Sequence, residues 1–311
     1  MQLEGVYSVL PTPFQGNGDL DEPSLRRVVD LFIAAGVNGV TALGVTGEVS
    51  RLDDVERRRV LEIVVEQAAG RVGIVAGTTA EGTRSCIRHS SHALAAGATA
   101  VMVSPPRMPK LNSEAVMRHY AALAAEVDIE IVVQDYPPIS GFAMEPALLG
   151  RIAREIPRAR TIKLEDPPTP YKTARILESC GSTPVRIFGG LGGVFLLEEL
   201  LAGATGAMTG FAFPEMLVRI VSLFRAGRVD DAADYFYRAV PLMRFEFQDG
   251  IGMAIRKEVL RRRGVLTSAA TRAPGPVLDQ GTRTALDRVM KWSESLLGEP
   301  RTGTLNPEPR T

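Results

Sequence analysis

The chain is 311 residues, 45% hydrophobic and 23% charged, a composition that excludes disordered and fibrous proteins. Lys+Arg and Asp+Glu both total 36, so no net charge draws the chain toward nucleic acid or an anionic membrane. Aromatics are 6% of residues and no basic run carries them, which removes the stacking groove of a single-strand binder.

The N-terminal stretch MQLEGVYSVLPTPF lacks a charged head followed by an apolar run, and no apolar stretch reaches the roughly 18 residues of a membrane span. A cytoplasmic protein with no membrane partner is expected. Cys86 and Cys180 stand too far apart in sequence to build a disulfide framework. Cys86, His89 and His92 fall at helical spacing, but no Cys-x-x-Cys pair or carboxylate accompanies them. They read as a polar helix face, and no metal or cofactor is expected.

In chain order, short β-branched runs alternate with longer segments of helical period. The strand runs are 5–14, 39–48, 72–78, 99–106, 129–138, 161–166, 185–190 and 206–213. Amphipathic segments such as SLRRVVDLFIAAG and PEMLVRIVSLFRAG separate them, several closing on Gly as a helix C-cap does. Strand–helix alternation reads as a parallel sheet, and eight units favour a closed (β/α)8 TIM barrel over 1–227. An open doubly wound sheet would carry a Gly-rich phosphate turn after its first strand, and VLPTPFQGNGD has none. Beyond Gly227 the strands stop. Three amphipathic segments predict a helical extension over 228–298, and the Pro/Gly/Thr-rich 299–311 is expected to be a disordered tail. In the second of those segments Arg256, Lys257, Arg261, Arg262 and Arg263 read as a solvated or subunit-facing surface.

Barrel chemistry gathers at the carboxyl ends of the strands, and three ends are unusual. In TIKLED, Lys163 stands between Ile162 and Leu164, where an apolar residue is expected. Burial disfavours the charged form of an amine, and a neutral amine is what a Schiff-base nucleophile needs. A lysine paired with Glu165 or Asp166 is the competing explanation. In GVTGE, Gly44 and Gly47 flank Val45 and Thr46, a turn able to present N–H groups and a hydroxyl to an anion, with Glu48 opening the next helix. In VVQDYPP, strand alternation puts Gln134 and Tyr136 on one side and Asp135 on the other. If that side is the interior, an amide and a phenol face Lys163. Phe211 and Phe213, after the last strand, read as core.

Together these motifs resemble the dihydrodipicolinate synthase / N-acetylneuraminate lyase family of Schiff-base aldolases and dehydratases. The resemblance runs from Thr12, Pro13 and Phe14 through GVTGE, Ser140–Gly141, Lys163 and the glycines of strand seven to the helical tail. It implies an imine between Lys163 and pyruvate or a hydroxylated 2-keto acid. It also implies that Thr46, Gly47 and Val45 border the substrate carboxylate, that Gly190 and Met208 make backbone contacts, and that the protein is a homotetramer or homodimer needing no cofactor.

Departures from the family narrow the substrate. Val45 replaces a relay hydroxyl, the tyrosine of strand four is gone from SPPRMPK, and Ile139 stands where the synthase has an arginine. Gly192 and Gly193 replace the acidic pair of the neuraminate lyase. An ungapped match at Ser140–Gly141 sets the family's catalytic tyrosine on Gln134; a two-residue shift sets it on Tyr136. Tyr136 is favoured, because an amide is neither acid nor base. The expected function is a lyase, a 2-keto-3-deoxy sugar acid dehydratase or aldolase. The alternatives are a condensing enzyme like dihydrodipicolinate synthase and a keto-acid-binding homologue without turnover; a metal-dependent lyase is disfavoured by the sparse histidines.

Overall fold

A computed structural model describes residues 3–293 of the chain; the expected tail at 299–311 lies outside the described residues. In chain order the elements are β1 (Gly5–Val9), α1 (Glu22–Ala34), β2 (Gly39–Ala42), α2 (Asp54–Ala68), β3 (Gly73–Gly77), α3 (Thr83–Ala96), β4 (Ala100–Val103) and α4 (Ser113–Glu126). Then follow β5 (Glu130–Asp135), the short α5 (Pro137–Ser140), α6 (Pro146–Glu155), β6 (Thr161–Leu164), α7 (Thr169–Cys180), β7 (Arg186–Gly189) and α8 (Leu196–Leu201). The chain continues with β8 (Gly206–Thr209), α9 (Pro214–Arg225), α10 (Val229–Glu246), α11 (Gly252–Arg262) and α12 (Gln280–Trp292). The strands form a closed parallel barrel in sequence order, β8 pairing back onto β1 through Tyr7 and Met208. This is the (β/α)8 architecture, because parallel strands covered by helices must be apolar outward as well as inward.

The strands are shorter than the apolar runs that announced them. Ladder pairing ends at Val9, Ala42 and Leu164, and the remainder of each run turns over the barrel mouth. After β2, Leu43 takes a φ of +58°, and its carbonyl oxygen would lie 2.0 Å from a Cβ on Gly77, so the turn fits only against glycine.

Inside, the barrel floor is an apolar plug that includes Tyr7, Met102, Phe188 and Met208. Tyr7 and Phe188 meet edge to face with centroids 5.6 Å apart, and a Cβ on Gly39 would stand 2.1 Å from the Tyr7 ring. Burial pushes the Tyr7 phenol up to about 12. Phe211 and Phe213 are core, packed edge to face at 5.8 Å.

Two local expectations are corrected. Glu48 does not open a helix: it sits at φ +56° between two short 3-10 turns, and α2 begins at Asp54. Asp53 and Glu56 form a reciprocal capping box there, worth about 1 kcal/mol, which fixes the helix start at Asp54. Nor is the basic stretch of α11 wholly a surface. Arg256 and Lys257 are 3% and 0% exposed, because α11 docks its side against the β2–α2 turn. Lys257 forms an ion pair with Glu48, donates to the Ala270 carbonyl at 2.8 Å and stands 4.4 Å over the Phe14 ring. Arg272 covers the same ring at 4.3 Å. Arg261 and Arg262 turn back to Glu258 on the same helix. Among the described residues no helix is long and apolar enough to cross a membrane.

Candidate active site

The register of the ladder sets Lys163 between Gln134 of β5 and Phe188 of β7. Its side chain points into the barrel and is 4% exposed. Two residues further along the same face, Glu165 brings Oε2 to 3.0 Å from Lys163 Nζ. Gln134 Nε2 donates to the same oxygen at 2.7 Å, and Ser104 Oγ donates to Gln134 Oε1 at 3.0 Å. Gly190 makes room for this carboxylate: a Cβ there would lie 2.2 Å from Glu165 Cγ. Lys163 is therefore an interior amine, and it makes the ion pair with Glu165 that the competing explanation called for. Asp166 is engaged elsewhere, since Lys172 bridges it and Asp135 at 2.6 Å each. The alternation read in β5 holds: Gln134 faces in, Asp135 faces out.

Above Lys163 lies a cavity of about 50 Å³ whose walls include Val45, Thr46, Tyr136, Lys163, Glu165, Thr209 and Arg256. Tyr136 is half-buried on its rim. Burial raises its pKa, and the carboxylates of Glu165 and Asp249 add to the shift, so the phenol keeps its proton at neutral pH. Thr46 Oγ1 and Arg256 Nη1 are buried with no hydrogen-bond partner among the described residues. The structure thus brings together Lys163, Tyr136, Thr46 and Val45, with Gln134 and Gly190 around Glu165. Gly47 and Met208 are not on the cavity wall. Gly47 donates its N–H to the Gly44 carbonyl at 2.9 Å and its own carbonyl accepts from the Thr12 hydroxyl at 2.6 Å, while Met208 is in the apolar floor. A larger cavity of about 240 Å³, lined in part by Arg57, His89 and His92, opens on α2 and α3 and has no part in this cluster.

Glu165 was visible in the sequence only as an ion partner. Its i+2 spacing from Lys163 was enough to put both on one face of the strand. Arg256 gave no such signal, because only tertiary docking decides which side of a basic helix is buried.

A lysine and a carboxylate facing each other at the top of a closed (β/α)8 barrel is an arrangement fit for a lyase of the class I aldolase type. The chain belongs to the Dihydrodipicolinate synthetase family, whose profile matches residues 2–293, and like the members of that family it is a lyase of this type. It is 34% identical over 299 residues to the L-2-keto-3-deoxyarabonate dehydratase of Azospirillum brasilense, covering 94% of this chain and 95% of that protein. A 4-hydroxy-tetrahydrodipicolinate synthase of Methanothrix thermoacetophila is 30% identical over 301 residues, covering 96% of this chain and all of that protein (100%). Among solved structures, dihydrodipicolinate synthase from Rhodopseudomonas palustris superposes with a TM-score of 0.87 at 34% identity, covering 93% of this chain and 97% of that one.

Proposed function

We propose that the protein dehydrates a 2-keto-3-deoxy sugar acid through an imine on Lys163. The observation that carries this reading is the carboxylate of Glu165 held 3.0 Å from the Lys163 amine by a hydrogen bond from Gln134. Lys163 Nζ attacks the C2 ketone, and loss of water leaves a protonated imine, an electron sink at C2. Glu165 removes a C3 proton, and the electron pair passes into an enamine. The enamine expels the C4 hydroxyl, which leaves as water with a proton from Tyr136; the proton on Glu165 then restores the phenol. Hydrolysis of the product imine returns the amine. Gln134, neither acid nor base, orients Glu165.

Full-length similarity to the keto-deoxyarabonate dehydratase supports elimination over condensation. Ile139, on α5, offers no charge for the second carboxylate that a condensing enzyme of this family must hold. Cleavage of C3–C4 would use the same imine, so the product decides. A homotetramer or homodimer in the cytoplasm, with a 2-keto acid as its small-molecule partner, belongs to the same reading.

The test is a panel of 2-keto-3-deoxy pentonates and hexonates assayed for product by mass. Loss of one water from a member of the panel, abolished in Lys163→Ala, supports dehydration. Release of pyruvate from those substrates replaces it with an aldolase.

A further inference from the structure

We propose that Arg256, delivered by α11 from outside the barrel, adds a guanidinium to the contact that the family resemblance already implies between Thr46 and the substrate's C1 carboxylate, closing a clamp on it; this rests on the reading of Lys163 as imine former. Arg256 is 3% exposed and lines the same small cavity as Lys163. Its Nε donates to Glu246 Oε1 at 2.5 Å, and the Glu246 carboxylate in turn accepts the Ala212 N–H at 3.0 and 3.2 Å. That anchor fixes one edge of the guanidinium. Among the described residues Nη1 is left buried without a partner, and so is Thr46 Oγ1.

The two orphaned atoms converge. A Cβ on Gly210 would lie 2.1 Å from Arg256 Nη1 and 3.0 Å from Thr46 Oγ1, so this one glycine of the β8 end adjoins both. Buried donors without partners are costly, and a cationic one more so, which makes a bound anion the natural completion of the pair. A guanidinium edge and a hydroxyl suit a carboxylate. In a 2-keto acid the carboxylate is bonded to the carbon that Lys163 attacks, so an anion seated on Arg256 and Thr46 in a cavity of about 50 Å³ presents that carbon to the amine. The C-terminal helices thereby supply substrate recognition to the barrel.

The experiment compares pyruvate with its methyl ester, which keeps the ketone and loses the charge. Initial rates of cyanoborohydride-trapped adduct at subsaturating concentration are measured for the wild type, Arg256→Lys, Gly210→Ala and the double variant Arg256→Gln/Glu246→Gln. The double variant removes both buried charges together and so avoids stranding Glu246. The clamp predicts a loss of about 10- to 100-fold with pyruvate and less than about twofold with the ester, the range expected for a hydrogen bond to a charged group. Arg256→Lys and Gly210→Ala should lie between. An unchanged rate with pyruvate, or an equal fall for both compounds, overturns the clamp. In a Lys163→Met background no imine forms, and calorimetry of pyruvate should still show affinity weakened about tenfold or more by the double change. Equal affinities there overturn the clamp whatever the fate of the imine, whereas failure of the wild type to trap either ketone overturns the imine alone.

Discussion

Glu165 and Glu199 are both carboxylic acids shut inside the molecule, and their surroundings give them opposite work. Glu165 has a cation and an amide donor on one oxygen. Replacing it with Gln keeps the size and the contact with Gln134 but removes the base, so turnover should fall by about 10²- to 10⁴-fold. A reduced imine with pyruvate should still form, since the amine remains. Parallel kinetic and trapping assays check this; undiminished turnover would free Glu165 from the mechanism. Glu199, on α8, has among the described residues only the Thr169 hydroxyl, which donates to Oε1 at 2.5 Å, and burial pushes its carboxyl from 4.5 up to about 8. Between those values the folded state holds a proton that the unfolded state has lost. Stability from this group is therefore full below pH 4.5, declines as pH rises, and levels off above about 8. Glu199→Gln should gain on the wild type in melting temperature across that window and show a constant difference above it. A difference that does not vary with pH would mean that the carboxyl titrates normally.

The β2–α2 turn and α11 must be understood as one device, although about two hundred residues of chain separate them. Glu48 reaches Lys257, Arg51 and the Arg272 N–H, and Phe14 is covered by Lys257 and Arg272. Burial lowers the Lys257 pKa, partly offset by Glu48. Lys257→Met should leave Glu48 Oε1 buried without its cation, Oε2 keeping Arg51 and the Arg272 N–H, and cost about 3 kcal/mol in urea unfolding, while Lys257→Met/Glu48→Gln should recover much of it. Equal costs for the single and double variants would show that the pair is not coupled. None of this was legible beforehand. The β5 and β6 ends could be read in part because strand alternation is local: spacing put Gln134 and Tyr136 on one side of β5 and marked Lys163 as out of place in an apolar β6, while which side faced the interior waited for the closed barrel. The facing of α11 is decided by what it docks on, and a helix rich in Arg and Lys looks solvent-exposed until that partner is known. Glu48 failed for a related reason, since a positive φ at a non-glycine residue leaves no mark in sequence.

For the molecule as a whole, the count of strand–helix units was the most informative reading, because eight parallel units admit closure and closure fixes where chemistry can be. The limits of the strands were not legible: apolar runs continue past the ladder into the turns that roof the cavity. The interior floor of Tyr7, Phe188 and Met208 fills the barrel with apolar side chains, and the C-terminal helices reach the cavity beside Lys163 through Arg256. The amine, its carboxylate and the carboxylate clamp thus come from β6, the β6–α7 turn, the β2–α2 turn and α11, and only the closed barrel brings them within reach of one small molecule. The decisive measurement is peptide mapping after cyanoborohydride reduction of the protein with pyruvate. The account predicts one reduced pyruvate unit on the peptide containing Lys163 and none in Lys163→Ala; an unmodified Lys163, or an adduct on another lysine, would contradict it.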